Sequence, residues 1–348
     1  MHCDMRLDPN ITIVIATHNR PDCLRVAVES ALRQTHTRWR MLVLGDGCDA
    51  RTPKALKDIV DPRVLYIDLP VRFGEQSGPN SVGMSLAITE WIAFLNHDDL
   101  WLPDHLEHAL QKLTQTGADF FLGRAIFTEA NATPAQIVSE HRLWQAFRTG
   151  ELFEPASRWV FQRSLVERVG LWRMATTLYR TPIEDWLLRA WRKNVIAVGG
   201  DVVTVVRVQN TSSSGAPTYE QPARAQELLL QRLAAVPLEQ FRAEMCQVRH
   251  KSRGPRKPRP LATRLKRSLN RGWRLLLLNK AFSALFRSTG WDAFVLLAKF
   301  EGGGKGSFMR GALLRRVGAP LPEAPDLAGA IAAARNLAAS SNGTGKCQ

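Results

Sequence analysis

At 348 residues and 45% hydrophobic, the chain has material for one large domain or two modest ones, with a sizeable core. Its five cysteines (Cys3, Cys23, Cys48, Cys246 and Cys347) are odd in number and lack a CxxC pair, which argues against a disulfide scaffold or zinc ribbon and for a reducing compartment. A formal net charge of +15 implies an anionic partner: nucleic acid, an acidic membrane surface or a phosphate-bearing substrate.

Along the chain, ITIVIAT (11–17) is a short β-branched run without charge, as expected of a strand buried on both faces. It is too short for a signal-peptide core, and no window reaches the length of a membrane-spanning helix, so a cytoplasmic protein is expected. Pro21 then opens a helix with Leu24, Val28, Ala31 and Leu32 on one face. Residues 40–46, 64–70 and 90–96 form further strand patterns, with a helix over SVGMSLAIT (81–89) before the last. PDHLEHALQKLTQTG (103–117) is amphipathic along Leu106, Ala109, Leu110 and Leu113, and Gly117 stops it. This βαβα rhythm predicts a mostly parallel sheet flanked by helices. From 118 to 208 the pattern is mixed: a strand at 118–127, a helix at 163–170, a clear helix at 182–194, and one or two strands over 195–208. A mobile loop is expected at 209–222, then a helix through about Val248.

Ligands of an open parallel sheet sit beyond the carboxyl ends of its strands. Three features fall there: Thr17, His18 and Asn19 after the first strand, Asp46 between two glycines after the second, and His97, Asp98 and Asp99 after the fourth. Each has a plain local reading. GDG is turn chemistry, and Asp104 after the acid pair suits a helix start. Two adjacent carboxylates are costly unless solvated or neutralised, which makes a hard cation a reasonable inference. His97, His105 and His108 suggest zinc, but HLEH has the wrong spacing for HExxH. Glu184 and Asp185 on the helix after Pro182 equally suit the helix dipole. EGGGKGS (301–307) lacks phosphate-loop spacing, and no GxGxxG follows the first strand.

ITIVIATHNRPDCLRVAVESALRQT, LVLGDGCD, GPNSVGMSLAITEWIAFLNHDDLWLPDHL and IEDWLLRAW together resemble the family 2 glycosyltransferases of the GT-A fold, over roughly residues 10–208. The resemblance implies a GT-A Rossmann-like sheet and a nucleotide-sugar donor, commonly a UDP-sugar. Thr17, His18, Asn19, Arg20, Asp46, Asn80 and Asp98 would border the nucleotide sugar, with Asp46 on the base. Asp98 and Asp99 would hold the diphosphate and Mn²⁺ or Mg²⁺, and Asp185 would be the base of an inverting reaction, with Glu184 orienting it or binding acceptor. The sequence departs from the family pattern at three places. Asn96 stands where the first acid of the metal motif is common, Gly45 where a DDG motif begins with Asp, and Pro79 where an Arg precedes Asn80. The QxxRW signature of processive synthases is absent, which favours single addition.

Residues 249–274 are rich in Lys, Arg and Pro without an acid and include Trp273, and the short apolar stretches after them carry Phe282, Phe286 and Trp291. Three readings compete for this stretch: a solvated linker, a nucleic-acid tail without a recognised module, and attachment to an anionic membrane surface on its inner face. The third is favoured because basic residues beside short apolar stretches with Trp and Phe suit an anionic membrane interface, where lipid-linked acceptors would be presented. The expected organisation is a catalytic domain at 1–215, a helical segment at 216–248, a helical basic C-terminal extension at 249–325 and a disordered tail at 326–348. The expected function is transfer of a hexosyl or related sugar to a sugar or lipid-linked acceptor hydroxyl in surface polysaccharide synthesis, with no nucleic acid involved. The alternative is a catalytically silent sugar-nucleotide-binding or scaffold protein of the same fold.

Overall fold

The computed structural model describes residues 10–128, 132–138, 155–178, 181–208, 220–247 and 325–343. Strands β1 (Ile11–Thr17) and β2 (Trp39–Gly45) are apolar at nearly every position because they lie inside the sheet, covered on both faces. Ile11, Ile13 and Ile15 share one core with Leu24, Ala27 and Val28 of α1 (Pro21–Leu32). Val14 joins the opposite core with Val82 and Met84 of α3 (Ser77–Leu86). The short α2 (Arg51–Leu56) leads to β3 (Val64–Asp68), and β4 (Trp91–Phe94) completes a parallel block ordered β3-β2-β1-β4.

The second half is mixed. It comprises β5 (Asp99–Trp101), α4 (His105–Thr116), β6 (Phe120–Thr128), β7 (Pro134–Val138), β8 (Trp159–Gln162), α5 (Leu165–Arg168), α6 (Pro182–Arg192) and β9 (Ala197–Val208). The sheet continues as β4-β8-β6-β9-β5 with β7 beside β6, and only β6–β9 is parallel there. Phe94, Phe120, Trp159, Phe161, Trp172 and Trp186 stack in one aromatic core, with ring centroids 5.3 to 6.3 Å apart. Trp186 belongs to α6, so this core fixes the helix that carries Asp185. Helices α7 (Glu220–Ala235), α8 (Leu238–Cys246) and α9 (Leu327–Gly343) follow.

Several expectations are revised. The fourth strand stops at Phe94, and Asp99 begins the separate β5, paired to β9. α3 starts at Ser77 rather than 81, with Pro79 tolerated in its first turn, where its missing N–H is harmless. Helix α7 already includes Glu220 to Pro222, and Pro237 separates it from α8, so 223–248 is not one helix. Asp104 precedes α4 without a capping bond; its carboxylate pairs with Arg242 of α8 at 2.6 Å instead. The expected disorder of 326–348 is overturned across 327–343. That stretch is rich in Ala, the best helix former, and Ala330 and Ala334 are buried against the core that α3 helps build. The basic stretch expected at the membrane lies outside the described residues.

Candidate active site

The carboxyl ends of the parallel strands meet at one rim. Thr17 sits opposite Gly45 in the β1–β2 register, and the Asp46 amide donates to the Thr17 carbonyl at 2.8 Å. Beyond them lies a cavity of about 170 Å³ lined by Thr17, His18, Asp46, Arg72, Glu75, Pro79 and His97, among others. Thr17, His18 and Asp46 therefore converge as the sequence suggested. His18 Nδ1 lies 2.9 Å from the Asp46 carbonyl oxygen. Asn19 adopts the left-handed region (φ 48°), and its Oδ1 accepts the Asp49 amide at 2.7 Å. Asn19 thus holds the loop, while Arg20 sits at the N-cap position of α1 without a side-chain capping bond. Asn80 is buried on α3 and is not among the residues lining the cavity; its neighbour Pro79 is.

Asp46 has an occupation that its motif did not announce. Its carboxylate accepts the amides of Phe73 at 2.6 Å and Gly74 at 2.8 Å, which fastens the 72–76 loop over the cavity. Burial raises its pKa, opposed by those two amides. Gly45, in place of an acid, is required by its neighbours. A Cβ there would lie 2.3 Å from Asp68 Oδ1 and 2.5 Å from the Tyr66 hydroxyl. Asp68 occupies that space and accepts the Cys48 amide at 3.0 Å, so a carboxylate reaches this corner from β3 instead of β2.

The acid pair splits. Asp98 is half-buried, and its charge is felt by Cys23, His97 and Asp99. Asp99 is fully buried; its Oδ2 accepts the Ser157 hydroxyl at 2.5 Å and the Asn96 side-chain amide at 3.0 Å. Burial first, and then Asp98, push its carboxyl up to about 7. Oδ2 is thus held inside the protein, while the buried Oδ1 has no hydrogen-bond partner among the described residues. Asn96 becomes intelligible too, because a carboxylate at 96 would oppose Asp99, whereas the amide donates to it. Among the described residues no three His, Cys, Asp or Glu side chains form a metal-holding group. His97 lies by the Ala16 carbonyl, His105 stacks on Trp101, and His108 pairs with Asp201. Asp98, next to the cavity-lining His97 though not itself among the lining residues, suits a hard divalent cation whose other ligands are diphosphate oxygens and water.

On α6, Glu184 forms a capping box with Thr181, the local reading considered for it. Asp185, 13% exposed, lies 2.8 Å from Arg189 Nε and 3.6 Å from Arg173. Arg173 borders Ala175, whose amide donates to Glu75 of the cavity at 3.2 Å. Glu75 also accepts the Ser77 amide and hydroxyl, and burial raises its pKa. Arg72, Glu75 and Asp68 escaped the sequence reading. The one signal was their place at or a few residues beyond the carboxyl end of β3.

Residues 12–170 match the family described as Glycosyl transferase family 2. The succinoglycan biosynthesis protein ExoO of Rhizobium meliloti is 30% identical over 39% of this chain and 38% of that protein. The Escherichia coli UDP-Glc:alpha-D-GlcNAc-diphosphoundecaprenol beta-1,3-glucosyltransferase WfgD is 22% identical over 38% of this chain and 52% of its own length. The chain thus spans from over a third to about half of these curated relatives. TarS residues 1–349 of S. aureus, solved in complex with UDP-GlcNAc, superpose with a TM-score of 0.50 at 13% identity, covering 90% of this chain and 93% of that one. Residues 12–170 are thus similar to the family 2 glycosyltransferases, and the fold is of the GT-A type.

Proposed function

We propose that the chain transfers a sugar from a nucleotide-diphosphate sugar to an acceptor hydroxyl with inversion, in surface polysaccharide or glycoconjugate synthesis. The observation that carries this reading is the rim cavity, where the Asp46-fastened loop brings Arg72 between the ends of β1 and β2. TarS, solved with UDP-GlcNAc, and WfgD, named for UDP-Glc, support a UDP-sugar donor. ExoO supports a polysaccharide product, and WfgD's diphosphoundecaprenol acceptor supports a lipid-linked one. No helix among the described residues is long and apolar enough to cross a membrane. A lipid-linked acceptor would then be met from the membrane surface, with the basic stretch 249–274 as the anionic-lipid contact.

Arg72 makes no ion pair with a described side chain, and it supplies a cation to the cavity for the diphosphate. Mn²⁺ or Mg²⁺ held by Asp98 would neutralise charge developing on the leaving group. Asp185 takes the acceptor's proton as the hydroxyl attacks, a contribution of about 10²–10⁴-fold for a general base. Arg189 and Arg173 aim its carboxylate. Glu184 acts on α6 itself, through the cap.

The test is calorimetric titration of UDP and UDP-sugars with and without Mn²⁺, followed by transfer assays on Asp185→Asn. The expected result is metal-dependent donor binding retained in the variant and transfer lost. Binding with no hydrolysis or transfer by the wild-type protein would favour the silent scaffold instead.

A further inference from the structure

Helix α7 lies beyond the residues that match the family, and its buried face carries one residue of the wrong kind. Ala223, Ala225, Leu229 and Leu230 face the core, and Ala225, Leu229 and Leu230 pack with Val26, Leu100 and Val206. Gln226 sits within this stripe, fully buried, where an aliphatic side chain would be the ordinary choice. Burying an amide is costly unless its donors are used. Gln226 uses them on one target: Nε2 donates to the His97 carbonyl at 3.1 Å and to the Asp99 carbonyl at 3.4 Å. Both partners are acceptors, so the NH₂ end must face them, and Oε1 has no hydrogen-bond partner among the described residues.

Those carbonyls flank Asp98. The rest of its loop is fastened from two other directions, by His97 on the Ala16 carbonyl and by Ser157 on the Asn96 amide and the Asp99 carboxylate. Beside the β5–β9 pairing that begins at Asp99, Gln226 supplies a further fastening, on the carbonyls of the two residues that flank Asp98. We propose that Gln226 is a positioning residue that sets the direction of Asp98, so that α7 completes the donor site from outside the matched domain. This rests on the reading of the rim as a nucleotide-sugar and metal site.

Gln226→Met keeps the shape and removes both donors; Gln226→Glu keeps the shape and places an acceptor against two carbonyls. UDP binding is titrated with and without Mn²⁺ in the full chain, alongside the melting temperature. The expected result is a loss of about tenfold or more in Mn²⁺-dependent UDP affinity, as when the support of a metal ligand is removed. Metal-free UDP binding should change little, and Gln226→Met should melt within a few degrees of wild type. If Gln226→Met does not fold, the same comparison is read from Gln226→Glu. Variants that keep the full Mn²⁺ increment, or lose metal-free binding equally, overturn the proposal while leaving the donor site standing. A wild-type protein that binds UDP under neither condition overturns both.

Discussion

Asp46 shows how much a single carboxylate governs here. It accepts two backbone amides with two oxygens, and Asn would offer one oxygen and turn an NH₂ toward the other amide. Asp46→Asn should therefore cost roughly 1–3 kcal/mol, the range for stranding a buried donor, and weaken UDP binding by freeing the 72–76 loop. Denaturant titration and calorimetry would check both; unchanged values would mean the loop is held elsewhere. His105 gives the acid response. Burial, and then His108, push its imidazole down to about 3, while the unfolded chain titrates near the ordinary 6.5. The folded state thus refuses a proton that the unfolded state takes. Stability from this site is fully present above about 6.5 and drains away as pH falls toward 3. His105→Gln should lower the melting temperature at pH 7 yet flatten its decline between pH 6.5 and 4. An equally steep decline would assign the acid sensitivity to other groups.

At the scale of elements, α3 approaches β1 so closely that Gly83 has no room for a side chain. A Cβ would lie 2.3 Å from Val14 Cγ1 and 2.9 Å from Cγ2, and a strand valine has little χ1 freedom with which to yield. Gly83→Ala should cost about 1–3 kcal/mol by overpacking and shift α3 with its cavity-side turn, measurable by chemical denaturation. Elements of this kind were legible in the sequence wherever apolar spacing or punctuation spoke. The β-branched run of β1, Pro21, Pro182 and Gly117 each marked a boundary that the structure keeps. The site was legible only as far as strand ends: Thr17, His18 and Asp46 lie at the cavity because the topology sends them there. The burial of Asp99 was not, since it depends on β5 pairing with a strand about a hundred residues later. Arg72 and Glu75 sit in a loop whose shape comes from Asp46, a non-local bond that no periodicity encodes.

For the whole molecule, the informative error is α9. Ala, Ser and Gly near the end of a chain suggest disorder, yet the small residues let this helix lie close against its neighbours, with Ala330 and Ala334 fully buried. Leu327 and Ile331 pack beside them. Ending the chain before Leu327 should lower stability by on the order of 3 kcal/mol, the yield of one or two large apolar side chains, and should lower the melting temperature accordingly. A truncated protein as stable as the full chain would show that α9 is a passenger.

The seat of α9 also changes what the basic stretch can be. Gln247 closes α8 on one side and α9 packs on the core on the other, so both flanks of the stretch 248–324 are tied to the same folded body. A partner bound by those cationic residues would be held on a two-point leash. A single proteolytic nick within the leash would leave both pieces together, with α9 still in its seat, and the nicked protein should travel as one species until denatured.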